Sequence, residues 1–236
     1  FRLSEATSNA VSTFVRDHEI TANTFFQGAY ALLLSQYSGQ QDIVFGMTVS
    51  GRPAELSGSD DMVGLFINTI PMRIKTNQEK STGKWLQDIQ QQQMESRQHE
   101  HSLLTEIQAA SAIPNSSSLF ESLFVFENFP IDEEMEGAKA ALPIASVGTA
   151  GSTNFPLTWV MAPGKSFVCS IKSDRSLFSA PIVENLFKQF EAIVDQLLQN
   201  PVSIASASPL AQTHVDQMLK WNETTQPHNT ETTLVE

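Results

Sequence analysis

Apolar residues along this chain alternate between helical spacing and short dense runs, and each change of spacing marks an expected element. Residues 4–17 place Val11, Phe14 and Val15 three and four apart behind Ser4, a side chain suited to capping a helix N-terminus. Residues 21–37 carry a broader face of Phe25, Phe26, Ala29, Tyr30, Leu33 and Leu34, which predicts a second helix that ends at Ser38-Gly39. Asp42-Ile-Val-Phe-Gly-Met-Thr-Val49 is rich in β-branched and aromatic side chains and reads as a strand, with Ser50-Gly51-Arg52-Pro53 as the turn beyond it. A Gly-rich acidic loop follows over 53–61. Residues 62–74 hold Val63, Leu65, Phe66, Ile67, Ile70 and Met72, which predicts a strand buried on both faces, with Pro71 marking a bulge or an edge near its end.

A polar helix is expected over 81–101, with Trp85, Leu86 and Ile89 as its apolar stripe and the glutamines at 90–93 turned to water. A short helix over 103–110, a strand over 122–126 and an acidic, mobile loop over 130–145 come next. Residues 157–161 and 166–171 form a hairpin-like pair of strands around Pro163-Gly164. The strongest helical signal is 181–198, where Ile182, Leu186, Phe190, Ile193 and Leu197 recur behind Ser179-Ala-Pro181. From residue 201 the chain turns small and polar, with one short helix near 210–219, and reads as a domain exit and linker. Residues 1–200 thus read as one α/β body.

Composition narrows the function. A hydrophobic fraction of 41% supplies a core. Acidic residues outnumber basic ones 26 to 14, a net charge of −12 that argues against nucleic acid as a partner. No apolar run reaches the roughly 18 residues that span a bilayer. The chain opens Phe1-Arg2-Leu3 without a signal-peptide pattern, so a cytoplasmic protein with no membrane partner is expected. The start without methionine, followed at once by helical sequence, suggests a cut from a larger polypeptide. Cys169, the single cysteine, excludes an internal disulfide and reads as a buried strand thiol in a reducing compartment.

Residue types alone give no self-contained catalytic set. His99 and His101 alternate at a helix end and provide two weak ligands without a second cluster, so no metal is expected. His18, His214 and His228 stand alone on polar stretches. There is no Gly-x-Ser-x-Gly elbow, no phosphate-cradling glycine loop and no cysteine beside a histidine.

Three segments carry a resemblance. Residues 21–39, then Asp42-Ile-Val-Phe-Gly-Met-Thr-Val-Ser-Gly-Arg-Pro53, then Met62-Val-Gly-Leu-Phe-Ile-Asn-Thr-Ile-Pro-Met-Arg73 resemble, in order, stretches of the condensation domains of nonribosomal peptide synthetases. The third is the most specific, and residues 99–107 and 119–130 resemble later family segments. Asn115-Ser-Ser-Ser118 departs from the arginine-containing consensus there, so no subtype is assigned. Trp221-Asn-Glu-Thr resembles the linker into an adenylation domain. The resemblance implies half of a pseudo-dimer of two chloramphenicol-acetyltransferase-like lobes, the C-terminal one, an α/β lobe with a central mixed sheet flanked by helices. The catalytic His-His-x-x-x-Asp-Gly motif belongs to the N-terminal lobe, and this sequence has no adjacent histidines.

What the resemblance implies for this lobe is a substrate-tunnel role, with no catalytic residue of its own. Its implied partners are an N-terminal condensation lobe, an adenylation domain and two carrier proteins, whose phosphopantetheine arms are substrates and not bound cofactors. In the turn Ser50-Gly51-Arg52 a small hydroxyl and a glycine permit close approach of an arm. Arg52 either pairs with the aspartate of the absent motif or anchors its turn to the acidic loop beside it. Asn128 either offers its amide to an acyl or amine group or forms a turn before Phe129-Pro130; Ser152 and Asn154 are candidates of the same kind. Gly64, Asn68, Thr69 and Arg73 carry the best motif match and are assigned to structure, fixing a crossover between lobes and satisfying backbone groups. Two other readings remain: a non-catalytic platform for adenylation and carrier domains, and a coenzyme-A-dependent acyltransferase, which would need its own His-x-x-x-Asp. Epimerisation domains share the architecture but match residues 63–73 less well.

Overall fold

In the computed structural model, residues 1–52, 58, 61–114, 116–127, 153–200, 203–206 and 212–224 are described. Helix α1 (Glu5–Asp17) starts where the Ser4 side chain accepts from the Thr7 N–H at 3.0 Å, and α2 (Ala22–Ser38) where Thr21 does the same for Thr24. Gly39, at φ 69°, adopts the left-handed conformation and its N–H closes the last turn on the Ser35 carbonyl. The sheet comprises β1 (Asp42–Val49), β2 (Asn68–Lys75), β3 (Ser122–Phe126), β4 (Leu157–Ala162) and β5 (Val168–Ser173) in the order β2-β1-β3-β4-β5. Strands β1, β3 and β4 run parallel; β2 and β5 pair antiparallel at the two flanks, so the sheet is mixed. Helices α3 (Thr82–Arg97), α4 (Leu104–Ala110), α5 (Ala180–Leu198) and α6 (Gln212–Asn222) complete the described elements, with a 3-10 turn at Ile204–Ser206.

Alternation along each strand sends one set of side chains toward the helices. Phe45, Met72, Phe124, Trp159 and Met161 form the sheet side of the core, and Tyr30 of α2 lies against them, its ring 5.2 Å from Phe45 and 5.5 Å from Trp159. Phe190 of α5 closes the same cluster at 4.8 Å from Trp159. All of β4 is buried, as expected of an inner strand. Cys169 is buried in β5, and that burial raises its thiol pKa.

Two expectations are corrected. Residues 62–67 are not strand, and β2 begins only at Asn68. The pairing of β1 with β2 runs out at Val49 and Asn68, because beyond Val49 the chain turns through Gly51 at φ 64° and offers no strand to pair with. Pro71 nevertheless sits on an edge strand, the position that tolerates a missing N–H. The glutamines at 90–93 are not simply solvated either, because α3 lies along groups that need partners. Gln90 accepts from the Thr21 N–H and donates to the Glu19 carbonyl, Gln92 donates to the Arg73 carbonyl on the edge strand, and the buried Gln93 donates to Gln27 at 2.7 Å while accepting from Thr24 at 3.1 Å. Gln91 and Gln92 are both exposed, and Gln91 donates to Glu95.

Two pairings have no counterpart in the hydrophobic pattern of the sequence. Residues 1–3 run beside β5, with Leu3 donating to the Phe167 carbonyl and Cys169 to that of Phe1. Ile204 is buried, and its N–H bonds the Lys80 carbonyl at 2.9 Å, which returns the chain to the start of α3. The loop expected at 130–145 lies outside the described residues. Among the described residues no helix is long and apolar enough to cross a membrane.

Candidate functional site

The end of β1 and the segment that precedes β2 are locked to each other. Gly51 is buried with a positive φ, and a Cβ there would collide with the Phe66 carbonyl oxygen, so conformation and close approach both require glycine. Ser50 beside it is exposed. Arg52 donates from Nη2 to the Met62 carbonyl at 3.1 Å and holds its guanidinium carbon 4.3 Å from the Phe66 ring centroid. Of residues 61–67, Phe66 alone is not exposed. Its neighbours point outward: Val63 is fully exposed, Leu65 92% and Ile67 65% exposed.

Asn68 anchors this strip at its other end. Its Nδ2 donates to the carbonyls of Glu100 (2.7 Å) and Ser102 (3.1 Å), and its Oδ1 accepts from the Thr69 N–H at 2.9 Å. The exposed Ile67 and Leu103 each sit one residue from these bonds, so apolar surface from the strip and from the turn before α4 adjoins. Thr69 faces Thr48 across the pair and packs its methyl group where a Cβ on Gly46 would stand. Gly64 meets only the edge of the Phe66 ring.

Arg73 lies at the far end of β2, where it grips Asp42 with two hydrogen bonds of 2.8 and 2.7 Å. The bond from Arg73 is the main cause that holds the Asp42 carboxyl below its usual range, and the pair in turn raises Arg73. Arg73 therefore staples two strands of this chain to each other. Asn154 is separated too. It is exposed ahead of β4, whereas Ser50 follows the end of the parallel strand β1, and it lines a cavity of about 970 Å³ with Lys172, Asp174, Arg175 and Phe178. Asn128 and Ser152 lie outside the described residues.

The structure thus brings Ser50, Gly51, Arg52, Gly64 and Asn68 to one end of the sheet and leaves Arg73 and Asn154 at the other. Sequence reasoning missed Phe66, although it is the one aromatic side chain in the strip. The site carries a mounted cation, an exposed hydroxyl and an apolar rim. No group of three His, Cys, Asp or Glu side chains that could hold a metal occurs among the described residues. His99 and His101 are exposed beyond α3, and His18 stacks on Phe14 at 4.0 Å.

Comparison with known proteins bears on these elements directly. A family model described as Condensation domain matches residues 1–219. A linear gramicidin synthase polypeptide from Brevibacillus parabrevis is 43% identical over 228 residues, which is 96% of this chain but 4% of that protein. A surfactin synthase polypeptide from Bacillus subtilis (strain 168) is 33% identical over 187 residues, covering 76% of this chain and 5% of its own length. The chain therefore spans a small part of these relatives. Among solved structures, the four-domain nonribosomal peptide synthetase holo-AB3403, bound to AMP and glycine, superposes with a TM-score of 0.72 at 23% identity over 88% of this chain and 17% of its own. The first condensation domain of the CDA synthetase does so with a TM-score of 0.67 at 11% identity, over 89% of this chain and 47% of its own. At these identities the structures establish the fold, and the family match with the gramicidin synthase identity establishes kinship: the chain belongs to the condensation-domain family.

Proposed function

We propose that this chain is the C-terminal half of a condensation domain that joins a carrier-bound thioester donor to a carrier-bound amine in nonribosomal peptide synthesis, and that it is inactive alone. The observation that carries this reading is the Arg52 cluster: a cation mounted on Phe66 beside an exposed apolar strip, in a sequence with no adjacent histidines. Such a surface suits a half whose base lies on the other lobe. The 47% coverage of a single solved condensation domain supports the same reading.

In the proposed reaction the acceptor amine attacks the donor thioester carbonyl. A C–N bond forms, the C–S bond breaks, and the proton lost by the amine reaches the departing phosphopantetheine thiolate. The histidine motif of the other half acts as base or positions the amine. This half supplies Arg52, paired with the motif's aspartate, and a turn at Ser50-Gly51 that an arm can approach closely. Phosphopantetheine enters as part of each substrate; none is held by this chain.

The exposed Met218, Leu219 and Trp221 on α6 favour a second role beside the first, a platform for an adenylation domain, with carrier proteins docking on the same lobe. Amide formation from two loaded carriers tests the pair of readings. Product with an added N-terminal lobe and none from this chain alone supports the catalytic half. Adenylation-domain or carrier binding without product from either mixture leaves only the platform.

A further inference from the structure

We infer that Phe66 is a positioning residue whose ring and backbone preset Arg52 for a carboxylate on the other half of the domain. The inference rests on the half-domain reading and adds a residue to it. An arginine on a surface turn samples many rotamers, and forming one ion pair costs it that freedom. Phe66 removes part of the cost in advance through two separate contacts. Its carbonyl oxygen lies against Gly51, whose positive φ sets the direction of the chain into residue 52. Its ring then carries the guanidinium 4.3 Å from the centroid, while the Met62 carbonyl accepts from Nη2.

The ring contact and the bond to Met62 together narrow the rotamers open to the guanidinium, and a guanidinium held in few rotamers loses less freedom when it meets a carboxylate. The neighbours of Phe66 have the opposite disposition. Val63, Leu65 and Ile67 present apolar surface to whatever covers the strip, and Phe66 alone turns back beneath the cation. One short segment thereby combines an apolar contact face with the support for the charge.

The test uses this chain, an N-terminal lobe bearing the His-His-x-x-x-Asp-Gly motif, and the variants R52Q, F66L, F66W and R52Q/F66L. The dissociation constant between halves should rise about two- to fivefold in F66L, the range of an exposed cation–π contact. It should stay within about twofold of wild type in F66W, which keeps an aromatic face. In the R52Q background F66L should add nothing. The Arg52 side-chain protons should show an upfield ring-current shift in the free chain that F66L removes and F66W keeps. F66L binding as tightly as wild type, or weakening R52Q as much as wild type, overturns the inference and leaves the half-domain reading standing. If the wild-type chain does not bind the lobe although the ring-current shift is present, the half-domain reading fails, and this inference with it.

Discussion

Two apolar runs of this chain meet opposite fates. Residues 24–33 of α2 are buried almost all round, whereas residues 62–67 hold their valine, leucine and isoleucine in water. The difference lies in what the rest of the chain provides. Helix α2 has the sheet beneath it and α1, α3 and α5 around it, so each apolar side chain finds a surface. The strip at 62–67 lies beyond the end of β1, and among the described residues only Phe66 finds cover. An apolar run states a demand for burial, and among the described residues one of the two demands is left unmet.

The largest effects should separate the runs cleanly. Phe26→Ala, in the buried run, should lower the unfolding free energy by about 3–5 kcal/mol in urea titrations. Leu65→Ala should leave it within about 0.5 kcal/mol. A loss above about 2 kcal/mol in Leu65→Ala would mean that the strip is covered within this chain, and the comparison would break. The same contrast extends to association. Sedimentation velocity should show self-association that rises with concentration and falls in Val63→Asp/Leu65→Asp, while a monomer at every concentration would remove the demand for an outside partner.

Next in size is the polar seam between α2 and α3. Gln93→Leu removes one partner each from Gln27 and Thr24, both buried, and should cost about 1–3 kcal/mol. A neutral result would show that water replaces the amide and that the buried run is less tightly enclosed than its neighbours suggest. Gly51→Ala should cost at least a similar amount, because the collision of a Cβ with the Phe66 carbonyl oxygen adds to a strain at positive φ of about 1–3 kcal/mol, and it should also displace Arg52. Loss of the Arg52 ring-current shift in that variant would tie the strip to the turn.

Much of this architecture is legible in the residues. Ser4 announces its helix because a hydroxyl there has one obvious use, the broad apolar face marks α2, and β1 occupies the residues that its β-branched content marks. The resemblance located the strip but gave no measure of its burial, because an apolar count does not say how far the neighbouring strand extends. The glutamines misled for a related reason: an amide on a helix face suits water and orphaned backbone groups equally well, and only the position of Glu19, Thr21 and Arg73 decides between them. Phe66 was hidden among residues of its own kind. The resemblance implies one tunnel role for Asn154 and Ser50, but the parallel strands place the two at opposite ends of the sheet.

The smallest expected effect asks whether the strip is organised from one end only. Asp42 and Arg73 pin the far end of the β1–β2 pair, and the bond from Arg73, helped by its charge and that of Lys75, keeps the Asp42 carboxyl below its usual range. A carboxyl lowered by folding contributes stability above its unfolded pKa of about 3.9, and that contribution is lost as pH falls through the lower folded value. Both side chains are well exposed, at 64% and 41%, so solvent screening keeps the effect slight. Asp42→Asn should therefore lower the unfolding midpoint slightly at about pH 7, and the gap from wild type should close below about pH 4. Its binding to an N-terminal lobe should equal that of wild type, because the Arg52 cluster lies at the other end of the strands. Weakened binding in Asp42→Asn would mean that the edge staple sets the strip as well, and the buried and exposed ends of β2 would have to be treated as one cooperative unit.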